Sequence, residues 1–178
     1  MTSIETTSNE ANENKFLSFR IGKEEFGVEI LRVREIIGVI DVTPLPQTPD
    51  YVKGVINLRG KIIPVIELRT KFGLDAKEYT EETCIIVVEV SDGGEEHFHM
   101  GVIVDSVSEV LDIHRDHIEP APRFGNSLNT SYIFGMGKVN NQVLILLDID
   151  RVMTFCDLSS LAEVANSDTS KEEHANAA

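Results

Sequence analysis

The stretch "GVINLRGKIIPVIEL", residues 54–68, reads as two apolar strand halves joined by Arg59-Gly60. Val, Ile and Leu on either side of a two-residue turn are the pattern of a β-hairpin. Arginine is a poor choice at that turn. A tight hairpin asks for residues that tolerate positive φ, and Gly60 meets that need while Arg59 does not.

A near-repeat elsewhere in the chain supplies the comparison. "FGVEILRVREII" (26–37) lies over "MGVIVDSVSEVL" (100–111), with Gly27 on Gly101, Val28 on Val102, Val33 on Val107 and Glu35 on Glu109, an offset of 74. "VTPLP" lies over "IEPAP", Pro44 on Pro120, an offset of 76. "YVKGVINLRGKIIPVIEL" lies over "YIFGMGKVNNQVLILLDI", Tyr51 on Tyr132 and Gly54 on Gly135, an offset of 81. The offset grows only in steps that fit loop insertions. Two copies are too few for a solenoid and point to a duplicated β unit. In the second copy Asn140-Asn141 replaces Arg59-Gly60, and asparagine suits the turn. The first copy therefore gives up local turn preference, and such departures tend to mark function. The plain alternative is a solvated arginine that contributes little.

The rest of the chain is mostly β. "FLSFRIG" sets Leu17, Phe19 and Ile21 on one face against Ser18 and Arg20 on the other. "CIIVVEV" and "QVLILLDI" are strand-length apolar runs, and "EEHFHMGVIV" follows a Gly93-Gly94 turn. Short strands at this spacing predict small barrels or a sandwich. Helical signals are few. "TPDYVKGV" predicts about one turn entered through Thr48 and Pro49. "DIDRVMT" and "SSLAEVA" predict a C-terminal helix reaching residues 156–165, with a Ser160/Glu163 capping box. Residues 1–15 and 166–178 are polar and aperiodic, and are expected to be disordered tails.

Composition excludes several functions. The 178 residues, 42% hydrophobic, support one ordinary core. A formal charge of −14 argues against nucleic-acid binding and against anionic membrane surfaces. No apolar run approaches the ~20 residues of a spanning helix, and no signal peptide is evident. Cys84 and Cys156 sit among apolar neighbours; one disulfide is arithmetically possible, and buried reduced thiols of a cytosolic protein are the expected reading.

At "GVINLRGKIIPVIELRTKFGL" the chain resembles the CheW family of bacterial chemotaxis adaptors, whose Asn-Leu-Arg-Gly signature matches Asn57, Leu58, Arg59 and Gly60. "FGVEILRVREI", "MGVIVDSVSEVL", "IEPAPRF" and "LILLDIDRVM" follow in the family's order, so the resemblance covers residues 16–155. It implies two five-stranded SH3-like β-barrels and a stand-alone, non-catalytic adaptor, since no kinase or receiver domain fits in this length. The implied partners are the cytoplasmic tips of methyl-accepting chemoreceptors, the regulatory domain of the histidine kinase CheA, and other CheW copies in rings. The implied location is the cytoplasm, at membrane-associated receptor arrays. Carried over by position, the receptor site comprises Ile30, Val33, Glu35, Gly54, Asn57 and Arg59. Ile30 and Val33 would take an apolar helix stripe, Glu35 and Arg59 would set register, and Gly54 would permit close backbone approach. A pair between Arg59 and Glu35 within the protein is the other use of those residues. The implied kinase or ring contacts are Val104, Val107 and Phe124, although periodicity alone favours core for the two valines. "SDGGEEHFH" is longer and more acidic than the family pattern, and Glu119 stands where a basic residue is common.

Other constellations are weaker. His97 with His99, and His114 with His117, are pairs where zinc needs three or four ligands. "DGGEE" lacks the lysine and hydroxyl of a phosphate loop. Neither a catalytic site nor a cofactor is expected. A small-ligand-sensing barrel, or a CheW-like paralogue competing for the same partners, is the alternative reading.

Overall fold

The computed structural model describes residues 14–91, 95–121 and 131–152. Runs rich in Val, Ile and Leu, too short for core helices and bounded by turn residues, become strands. Among the described residues these are β1 (Lys15–Ile21), β2 (Glu24–Glu29), β3 (Val33–Gly38), β4 (Val52–Leu58), β5 (Lys61–Glu67), β6 (Cys84–Ser91), β7 (His97–Val104), β8 (Ser106–Asp112), β9 (Ile118–Glu119), β10 (Ile133–Val139) and β11 (Gln142–Leu147). Two single-turn helices, α1 (Leu68–Lys71) and α2 (Ile149–Val152), close the two copies of the repeat, and 3-10 turns lie at Ile30–Arg32 and Arg115–His117.

The strands form a six-stranded sheet ordered β8-β1-β2-β11-β10-β9 and a five-stranded sheet ordered β3-β6-β7-β5-β4. Each sheet mixes the two copies. The opening hairpin of one copy pairs, through a parallel junction, with the closing hairpin of the other: β2 with β11, and β7 with β5. The repeat predicts the register at these junctions. Gly27 faces Leu146 and Gly101 faces Val65, equivalent pairs under the offsets 74 and 81. Glycine is needed for close approach there, since a Cβ on Gly101 would stand 2.9 Å from Ile85 and 3.2 Å from Val65.

Both sheets curl into the expected barrels. β3 and β4 are opposite edges of the five-stranded sheet, yet Thr43, just beyond β3, exchanges backbone hydrogen bonds with Val55 of β4 at 2.8 and 2.9 Å. Similarly β9, a short run beyond β8, pairs with β10 at the far edge of the other sheet. Alternate strand residues face two environments. Ile56, Ile63, Val65, Ile85, Val87 and Ile103 fill one barrel, and Phe16, Ile113, Leu144 and Leu146 the other. The opposite faces, with Phe19, Val28, Ile66, Ile86, Met100 and Leu147 among them, meet in a larger core shared between the barrels. Fully burying each such side chain is worth about 1.5–3 kcal/mol, so the shared core holds the halves as one body.

Two local expectations are corrected. Ser18 does not face solvent. The β1–β8 register shifts between Leu17 and Phe19, and the Ser18 hydroxyl fills that bulge, donating to the Glu109 carbonyl (2.9 Å) and accepting from the Glu109 N–H (3.1 Å). "TPDYVKGV" is not helical. It makes one turn closed by Val52 N–H to Pro49 O at 3.0 Å, and β4 begins there. The "DIDRVMT" helix is α2, while "SSLAEVA" and both expected tails beyond Asn14 and Val152 lie outside the described residues.

Candidate partner-binding site

The β4–β5 turn is strained at its arginine. Arg59 has φ +54° and Gly60 φ +85°, so an arginine occupies the left-handed region beside the glycine. The equivalent Asn140 and Asn141, at φ +51° and +62°, adopt the same turn. Left-handed backbone costs an ordinary L-residue roughly 1–2 kcal/mol, and asparagine less. Asn57 holds the turn closed by accepting the Gly60 N–H on its side-chain oxygen at 3.0 Å. Its counterpart Lys138 has no acceptor to offer. Asn57 therefore has an internal task beside the partner contact expected of it.

Barrel closure brings Arg59 to Glu35. The guanidinium lies 3.1 Å from the Glu35 carboxylate, with side chains 80% and 26% exposed. A pair this exposed contributes about 0–1 kcal/mol and does not offset the turn strain. Stability alone gives no reason for an arginine here.

Charged groups gather around this barrel end. Arg34 of β3 pairs with Glu89 of β6, and Glu89 faces His99 of β7. Burial holds the His99 imidazole below its ordinary pKa, assisted by Lys61 and then Arg34, and opposed by Glu35. His99 thus lies within a mixed ionic cluster.

The apolar part of the expected site lies on the other face of β3. Ile30 and Val33 are partly buried against the shared core. Ile36, absent from the sequence-derived set, pairs in register with the core residue Ile86 and is 45% exposed. Alternation along β3 puts Val33 and Ile36 on the same face as Val88 and Ile86 of the shared core and Glu35 on the face of Val87 in the barrel interior, accommodated by the register shift between Val33 and Glu35. β3 is an edge strand, so both faces are reachable from one side. The signal for Ile36 was its position in a strand-edge run, but only the register shows which face it takes.

Gly54 serves the fold. With φ +139°, its Cβ would fall 1.9 Å from the Thr43 carbonyl, at the barrel closure. The close approach expected for a partner is taken by the chain's own backbone. Val104 is 1% exposed within the shared core, which leaves it no surface for a kinase or ring contact and corrects that assignment. Val107 is partly buried against the same core, opposite Phe19. Phe124 lies outside the described residues. His114 meets Asp116 at 3.2 Å and His117 edge-on at 6.5 Å. Among the described residues no three His, Cys, Asp or Glu side chains form a metal-holding group. Cys84 is a free, half-buried thiol whose pKa burial pushes up.

Comparison with known proteins gives a consistent set of matches. Residues 15–155 match the CheW-like domain. The chain is 39% identical over 170 residues to a chemotaxis protein CheW of Klebsiella aerogenes, covering 94% of this chain and 99% of that protein. It is 35% identical over 138 residues to a chemotaxis protein CheW of Rhizobium meliloti, covering 78% and 86%. The crystal structure of the scaffolding protein TtCheW from Thermoanaerobacter tengcongensis superposes with a TM-score of 0.69 at 34% identity, covering 79% of this chain and 92% of that one.

Proposed function

Because this chain belongs to the CheW-like domain family of chemotaxis scaffolds, we propose that it is a non-catalytic adaptor coupling methyl-accepting chemoreceptor tips to the histidine kinase CheA. The observation that carries this reading is Arg59, an arginine kept in a left-handed turn whose cost its exposed pair with Glu35 does not repay. A partner contact supplies the missing reason. The receptor tip, a helical hairpin, would lay apolar residues along Ile30, Val33 and Ile36 and present a carboxylate to Arg59 across the edge of β3. The CheA regulatory domain and further copies in rings would engage the second copy's surface, with Val107 as its described contact residue. No described helix is long and apolar enough to cross a membrane, so recruitment to arrays would run through receptors.

The test is titration of a receptor-tip fragment against the natural chain, Arg59→Ala and Arg59→Glu, with co-sedimentation of CheA alongside. Affinity should fall in that order, by about 1–3 kcal/mol for loss of a charge-assisted contact. Equal affinity for all three would overturn the assignment of Arg59. Failure to co-sediment with either partner would overturn the adaptor reading itself.

A further inference from the structure

The barrel ends that the repeat equates carry different charge. In the first barrel, alternation carries the interior face of Val87 out to Glu89 on β6, and that of Ile63 out to Lys61 on β5. His99 of β7 stands in register with Glu89, two residues from Gly101, which lies between Val87 and Val65. Glu35 of β3 shares this face, opposite Val87. Arg34 pairs with Glu89, and Arg59 with Glu35. This mouth gathers three cations, two carboxylates and a half-buried histidine.

The equivalent mouth of the second barrel is simpler. The β1–β2 and β6–β7 registers match Arg20 with Glu89 and Glu25 with His99, and Arg20 and Glu25 form an ion pair at 3.3 Å. The offset of 74 puts Ser108 at the position of Arg34 and Glu109 at that of Glu35, and the offset of 81 puts Asn140 at Arg59 and Gln142 at Lys61. One cation there meets two carboxylates. In a chain of formal charge −14, the first mouth is a local reversal of sign, and it holds a group whose charge changes near neutral pH. The groups facing that histidine come from every neighbouring strand. Glu89 of β6 is engaged by Arg34 of β3, Lys61 of β5 and Arg34 oppose an imidazolium, and Glu35 of β3 favours it. His97, earlier on β7, is exposed. Glu35 is also the partner of Arg59, so a charged His99 and Arg59 compete for one carboxylate.

We propose that protonation of His99 releases Arg59 from Glu35 and arms the first barrel mouth for an acidic partner, so that docking there is tighter in mildly acid than in neutral solution. The sign follows from charge. An imidazolium beside Glu35 lowers the cost of turning Arg59 outward and adds a cation where cations already outnumber carboxylates. By reciprocity, an acidic partner favours the protonated His99. Burial, with Lys61 and Arg34, sets the change below the ordinary histidine value of about 6.5. The partner's identity as a chemoreceptor tip rests on the adaptor reading, whereas the link between His99 and Arg59 does not.

Two measurements on the full chain test this. In carbon-13-labelled protein without a partner, the side-chain signals of Glu35 and Arg59 should move with the titration of the His99 imidazole between about pH 7.5 and 5.5, and stay in place in His99→Gln. Signals that ignore the His99 titration in the natural chain overturn the proposal, whether or not the variant folds. A receptor-tip fragment titrated at the same two pH values should bind the natural chain about three- to tenfold more tightly at the lower one, the effect of raising one imidazole pKa by about half to one unit. His99→Gln and Arg59→Ala should show little of that gain. An equal gain in His99→Gln overturns the proposal, because the titrating group then lies elsewhere. If the fragment binds at neither pH, the adaptor reading falls, and the Glu35 and Arg59 signals alone decide the link to His99.

Discussion

Arg59 reaches Glu35, 3.1 Å away, from the opposite edge of the same sheet, across the seam where the barrel closes. The pair is a consequence of curvature. In a flat five-stranded sheet β3 and β4 would be separated by three strands. It also places a strained, exposed arginine beside the edge strand β3.

Exchanging the two turns separates strain from function. Arg59→Asn should raise stability by about 0.5–1 kcal/mol, because asparagine tolerates the left-handed backbone that arginine does not. Receptor-tip binding should weaken at the same time. The reverse change, Asn140→Arg, should lower stability by a similar amount and leave receptor binding alone. Melting curves with titrations check both, and a destabilised Arg59→Asn would show that the Glu35 pair outweighs the strain.

Gly54→Ala should be among the most damaging single-methyl additions. Its Cβ would collide with the Thr43 carbonyl at 1.9 Å and would sit at φ +139°. Backbone must move and the Thr43–Val55 closure must break, for a loss of roughly 3 kcal/mol or more. Denaturant unfolding measures it. A near-neutral outcome would mean that the closure is dispensable.

Ser18→Ala leaves the Glu109 N–H and carbonyl at the bulge without their side-chain partner. The expected loss is about 1–3 kcal/mol. Ser18→Thr, which keeps the hydroxyl, should recover part of it.

His99 sets a pH dependence. Its folded pKa is lowered, first by burial and then by Lys61 and Arg34. The unfolded chain therefore binds the proton more readily. No penalty exists above the ordinary histidine pKa of about 6.5, and stability falls as pH drops below it toward the folded value. His99→Gln should flatten this part of the stability profile, measured by urea unfolding from neutral to mildly acidic pH. An unchanged slope would place the titration elsewhere.

Tyr79 gives the opposite sign at high pH. Burial, with Glu67 nearby, pushes its hydroxyl up to about 12. Its contribution is complete below the ordinary tyrosine value of about 10 and is lost as pH rises toward the folded one. Ultraviolet titration should show one late-ionising tyrosine, absent in Tyr79→Phe.

Much of this molecule is written locally. The matched glycines, prolines and tyrosines, with the strand-length apolar runs, specify two β units in a common order. The turn residues 59–60 and 140–141 declare both the hairpins and, at Arg59, a position where local preference is violated. These signals are legible because turn chemistry and side-chain alternation act over two to eight residues. What covers each strand face is decided by segments far away in the chain. Periodicity makes Val104 and Val107 equally apolar, but β7 runs between two strands against the other barrel while β8 is an edge, so one is core and the other keeps some surface. Ser18 read as solvent-facing because nothing near it announces the bulge its hydroxyl fills. Gly54 read as room for a partner, and Thr43 takes that room. The exchange of hairpins between copies likewise needs the parallel junctions of β2 with β11 and of β5 with β7. Those non-local pairings are selected by the shared core that they bury together.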